Sequence, residues 1–115
     1  MISLAQQLLD SYLGDHGLVA LRVGLEARFV AELAERAQDH STSIVLAGRA
    51  MVRRAIARGE LAPDTSVTVL MDALCGAVMN HVIATPPALR PEVEAASQQF
   101  VAELVDFLLS GVRPA

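Results

Sequence analysis

The chain is 115 residues long, 53% hydrophobic and 19% charged, with a mean hydropathy of +0.43, which suits one domain with a buried core and excludes a disordered chain. Its net charge of −4, thirteen carboxylates against nine cations that are all arginine, makes it a poor stand-alone nucleic-acid binder, because neutralised phosphates supply most of that affinity. The apolar share exceeds what one small core can use, so a permanent partner or a ligand cavity is expected to take up the surplus.

Aromatic residues make up 3% and no alternating β-branched run is bounded by hairpin turns, so strands are not expected and the fold class is all-α. A first helix runs from about Ile2 to Leu13 on Leu4, Leu8, Leu9 and Leu13. Gly14-Asp15-His16-Gly17 ends it, with glycine expected to supply a left-handed terminus. A second stretch from about Leu18 to Ala37 sets Leu21, Leu25, Phe29 and Leu33 on one face, as one helix or as two joined near Phe29. Ser41-Thr42-Ser43 offers hydroxyl caps to a third helix from about Ser43 to Arg58. Gly59 is its stop, and Pro63-Asp64-Thr65 is the following turn and N-cap.

The segment from Ser66 to Ala84 carries the most information. Only Thr68, Asp72, Asn80 and His81 are strongly polar in it, and they do not share one narrow face. A helix apolar nearly all round needs cover nearly all round. One small domain has difficulty providing that cover alone, so a second copy of the chain is expected against the remaining face. The window approaches the length of a membrane span, but a central Asp costs about 3 kcal/mol to insert, and no span is expected. Pro86-Pro87 stops this helix and Pro91 opens the last one, which reaches about Leu109. Val93, Ala96, Phe100, Leu104 and Phe107 line one face of it, Val101, Val105 and Leu108 widen the stripe, and Gly111 and Pro114 end it. The one cysteine, Cys75, leaves no internal disulfide and fits a reducing cytoplasm. Residues 2–13 carry neither a basic leader nor a small-residue cleavage site, so no signal peptide is expected.

The segment RRAIARGELAPDT, Arg53 to Thr65, resembles a junction common in the C-terminal domains of TetR-type (tetracycline-repressor-like) transcriptional regulators, where a helix ends in Arg-Gly-Glu-Leu before Pro-Asp. That family continues with an apolar helix holding a central glycine, a proline-containing turn, and an amphipathic last helix ending near glycine. The counterparts here are Gly76 within LCGAVMNHVIAT, Pro86-Pro87, and Phe100 to Gly111. Upstream, GLEARFVAEL (Gly24 to Leu33) looks like the family's Glu-Ala-x-x-Phe-Pro-Glu-Leu stretch, with Val30 where proline is usual. The resemblance covers nearly the whole chain.

It implies one antiparallel helical domain of five or six helices over residues 1–115, whose last two helices pair with those of a second copy as a four-helix bundle. It also implies a cavity in the earlier helices for a small apolar or amphipathic effector, whose occupancy acts on an attached helix-turn-helix head. Residues 1–115 leave no room for such a head. DNA is therefore expected to be reached only through a further N-terminal domain, and this chain alone is not expected to bind DNA specifically.

The residues expected to line the pocket are Leu21, Leu25, Phe29, Met51 and Met71, methionine being flexible enough to shape an adaptable wall. Those expected at the dimer interface are Leu74, Gly76, Val78, His81, Val82, Phe100, Leu104, Phe107 and Leu108. Gly76 in mid-helix costs roughly 0.5–1 kcal/mol relative to Ala, which is read as close approach of a paired helix rather than a tolerated core glycine. Asp72 and Cys75 stand three apart and His81 six beyond Cys75, without an i, i+4 ligand pair, and His16 and His40 lie elsewhere. No metal, cofactor or catalytic group is expected from such spacing. Arg49, Arg53, Arg54 and Arg58 are read as a solvated basic face ahead of an anion trap. Two rival readings stand beside the sensor: a small helical enzyme using His81 or Asp72, and a structural dimerisation module without a ligand.

Overall fold

The computed structural model describes residues 1–14, 17–26, 29 and 45–111, and among them the chain is helical with no strand. The helices are α1 (Ile2–Leu13), α2 (Gly17–Glu26), α3 (45–57), α4 (Val67–Ala84), α5 (Arg90–Ala95) and α6 (Ser97–Ser110), with a 3-10 turn at Pro87–Leu89 between α4 and α5. The expected continuation of the second stretch to Ala37, the cap at Ser41-Thr42-Ser43, and Val30 all lie outside the described residues.

α1 occupies the expected span because its leucines recur at helical spacing, with Ala5 and Leu9 fully buried. Its terminus differs from the expectation. Gly14 is extended (φ −65°, ψ 167°) rather than left-handed, and its N–H still donates to Asp10 O at 3.0 Å. The glycine that the corner requires is Gly17. A Cβ there would overlap the carbonyl oxygens of Ser11 and Tyr12, so only glycine lets α2 start against the last turn of α1.

The junction after α3 shows why Arg-Gly-Glu-Leu suits a helix end. Gly59 takes φ +78°, the left-handed region that favours glycine. The Gly59 N–H donates to Ile56 O and the Glu60 N–H to Ala55 O, both at 3.0 Å, so two of the last carbonyls find partners. This is the Schellman pattern. Leu61, 4% exposed, then drops into the core beside Val52 and Ala55. Arg58 and Glu60 close over the outside through two hydrogen bonds of 2.9 and 3.0 Å, an exposed pair that adds little stability. Thr65 folds back onto Ala62 O, and Ser66 caps α4 by accepting from the Val69 N–H at 3.2 Å.

α4 is the central helix, packed against α1 and α6. Leu70, Met71, Leu74, Val78 and Val82 are its buried residues. With Ala5 and Leu9 of α1 and Val101 and Val105 of α6, its C-terminal half forms one core cluster; its N-terminal half joins Val52, Ala55 and Leu61 in a second. α6 returns antiparallel to α4: Phe100 lies on His81, while Leu108 and Leu109 reach the second cluster. α1 runs the same way as α4, with Leu4 near the Met71 end and Leu13 near Val82. Where α3 meets α4 there is one further tight point. A Cβ on Gly48 would overlap Met71 Cε, so the glycine gives the methionine its place.

The expected last helix is two helices. Ala96 (φ −99°, ψ 10°) interrupts it, and a residue expected on the buried stripe stands exposed. The break resets the register: Val93 is buried in α5, whereas Val101 and Val105 form the buried line of α6. Phe107, expected on the inner stripe, is 75% exposed.

Candidate functional site

Packing against α1 and α6 divides α4 into two sides. Toward the core, Leu74 and Val78 have no exposed surface at all and Val82 retains 8%. These three were expected to meet a partner chain. Their own chain buries them instead, because α1 and α6 already close over that side. The opposite side carries Val69, Ala73, Gly76, Asn80 and Ile83, spaced at i, i+4, i+7, i+11 and i+14 and hence on one line of the helix. Val69 is 65% and Ile83 54% exposed. A Cβ on Gly76 would meet nothing within 4 Å among the described residues, so their packing gives no reason for glycine there. Sequence reasoning singled out Gly76 but missed Val69 and Ile83; projecting the helix around Gly76 would have found both.

On α6, Phe107 is likewise exposed, at 75%. His81 stacks on Phe100 with ring centroids 3.7 Å apart and planes 7° from parallel, joining α4 to α6. Phe100, Leu104 and Leu108 are each half-buried against the core, keeping some surface free. Gly76, His81, Phe100, Leu104, Phe107 and Leu108 therefore remain accessible from outside, unlike Leu74, Val78 and Val82.

The five residues expected to line a pocket differ in their surroundings among the described residues. Met71 is 7% exposed and fills the space over Gly48, as core. Leu21 is half-buried, while Leu25 and Phe29 are 57% and 88% exposed. Met51 lines a groove of about 360 Å³ with Ala55, Leu61, Val105 and Leu109, and the Arg58–Glu60 pair borders it.

A second depression, about 200 Å³, lies where the C-terminal ends of α1 and α4 meet α5. Leu13, Val82, Ile83, Pro87 and Val93 form its walls, with Thr85 and Arg90 as the polar residues. Arg90 was not among the expected functional residues. Its Nη2 donates to the carbonyls of Tyr12 (3.4 Å), Leu13 and Gly14 (3.3 Å), the last carbonyls of α1, where a cation is favoured. Its Nε stands 3.8 Å from Glu94 Oε1. No sequence motif announces this, since the partners are 76 to 78 residues away.

Cys75 is half-buried beside the second cluster, and its thiol is pushed up by burial and then by the Asp72 charge. Burial also raises Tyr12, with the nearby Cys75 adding to it. Among the described residues no three potential ligands gather as a metal site.

Residues 1–108 match a family model described as the tetracyclin repressor-like C-terminal domain. No curated protein and no solved structure matches the chain.

Proposed function

The chain belongs to the tetracyclin repressor-like C-terminal domain family, and from that premise we propose that it is the effector-sensing and dimerising part of a cytoplasmic transcriptional regulator. The match over residues 1–108 carries this reading. Proteins of this family are regulators, generally without catalysis of their own, and typically dimeric. A small molecule binds between the helices, a second copy pairs through α4 and α6, and DNA is read by an attached helix-turn-helix head.

The accessible line of α4 supports the pairing. Gly76 leaves backbone open to a neighbouring helix, and Val69 and Ile83 flank it as apolar surface. With α6 contributing Phe107, the two helices present what a four-helix bundle between copies would cover. Obligate homodimers often bury more than about 2,000 Å² in total. Sedimentation equilibrium at micromolar concentration is expected to give twice the chain mass, and a folded monomer at that concentration overturns the pairing. Sensing is tested separately: native mass spectrometry of the purified protein is expected to show a bound small molecule, and adding that molecule to protein freed of it raises Tm.

A further inference from the structure

We propose that the pocket between the ends of α1, α4 and α5 binds a small amphipathic monocarboxylate, with its apolar body against Val82, Ile83 and Val93 and its carboxylate on the Arg90 guanidinium. The proposal rests on the effector-sensing reading for its purpose and names the chemistry that reading leaves open.

Four observations meet here. The walls are aliphatic, from three helices and the turn that joins two of them. At about 200 Å³ the pocket falls below the about 300–1,000 Å³ typical of drug-sized ligands, so its occupant is small. Among the described residues Arg90 is the one charged residue in the lining, which favours a single negative charge over a polyphosphate or a cation. Finally, the guanidinium is held in place by the α1 carbonyls of Tyr12, Leu13 and Gly14 through one nitrogen. A donor already fixed loses little freedom when a ligand arrives.

The charge partner that Arg90 has among the described residues is weak. Glu94 is 3.8 Å away and its side chain is 54% exposed, so water screens the pair. A ligand carboxylate approaching from the pocket would take that place in drier surroundings, where a charge-assisted hydrogen bond is stronger. Because the same side chain caps α1, an occupant would also brace the joint between α1 and the α4–α5 turn.

The test is calorimetric titration of the whole chain with octanoate, octanol and octylammonium, with amide NMR shifts to locate binding. Octanoate is expected to bind at least roughly tenfold more tightly than octanol, octylammonium not at all, and the shifts to centre on Leu13 and residues 82–93. In Arg90→Gln, which retains amide donors for the α1 carbonyls, the preference for octanoate over octanol disappears. Equal binding of octanoate and octanol to the native chain overturns the assignment of Arg90. Octanoate shifts centred on other helices, or no binding at millimolar concentration, overturn the site. If Arg90→Gln fails to fold, the three ligands and the shift map on the native chain still decide. A different molecule found bound elsewhere in the purified protein would leave the sensing reading standing while this pocket falls.

Discussion

Two glycines in this chain look alike in sequence and do opposite things. Gly59 sits at φ +78°, and a methyl group there would meet no neighbour among the described residues, so it is the backbone that objects. Gly59→Ala is expected to cost about 1–2 kcal/mol through the left-handed conformation alone, read as a lowered Tm in thermal unfolding. Gly76 has helical neighbours and, among the described residues, equally open space. Gly76→Ala should therefore stabilise the single chain by about 0.5–1 kcal/mol, while Gly76→Leu should raise the dimer dissociation constant. Unchanged dimerisation in Gly76→Leu means that no partner helix approaches there. Cys75 gives a chemical readout at the same scale. Burial and the Asp72 charge hold its thiol in the neutral form, and the thiolate is the nucleophile. Iodoacetamide at pH 8 is expected to alkylate the native chain more slowly than the unfolded one. Both Cys75 and Tyr12 ionise at higher pH in the fold than when free, so their contribution to stability is fully present at neutral pH and lost as pH rises through the alkaline range.

At the scale of the element, α4 shows how a helix apolar on all sides is shared out. Its 18 residues carry enough hydropathy to qualify by length and composition as a membrane span. Here it is the centre of the bundle instead, with Leu74 and Val78 inaccessible between α1 and α6. Leu74→Ala is expected to cost about 2–5 kcal/mol, since the cavity opens among helices that cannot easily collapse onto it. Val69→Ala, on the outer line, should leave the unfolding of the monomer nearly unchanged and weaken pairing. Comparing the two variants by chemical denaturation and by sedimentation separates the core side of the helix from its partner side. The break at Ala96 is the other lesson of this scale. No proline or glycine marks it, and it is needed only because Val93 and the Val101–Val105 line have to face different neighbours.

For the whole molecule, the two core clusters run along α4, one at each end, and α1 and α6 touch both. The Arg90 guanidinium closes the far end by tying the turn after α4 to the last carbonyls of α1. The Gly59 junction and Leu61 close the near end. The outer line of α4, Phe107, and the pocket beside Arg90 are among the surfaces this arrangement leaves open for other molecules. Ile83 belongs both to that outer line and to the pocket wall, so ligand and partner would meet on a shared side chain.

The sequence by itself determined the helical class, the bounds of α1 and α4, and the stop at Gly59, because these depend on local periodicity, caps and backbone conformation. It also singled out Gly76, whose cost in mid-helix is visible without a fold. The tertiary structure alone decided which side of α4 is inside. An evenly apolar helix has no pattern that points to its own core, and Leu74, Val78 and Val82 look no different in sequence from Val69 and Ile83. It alone made Met71 a core residue, by setting it over a glycine 23 residues earlier in the chain. It alone gave Arg90 its partners, since charge–carbonyl contacts between the two ends of a chain leave no spacing to read.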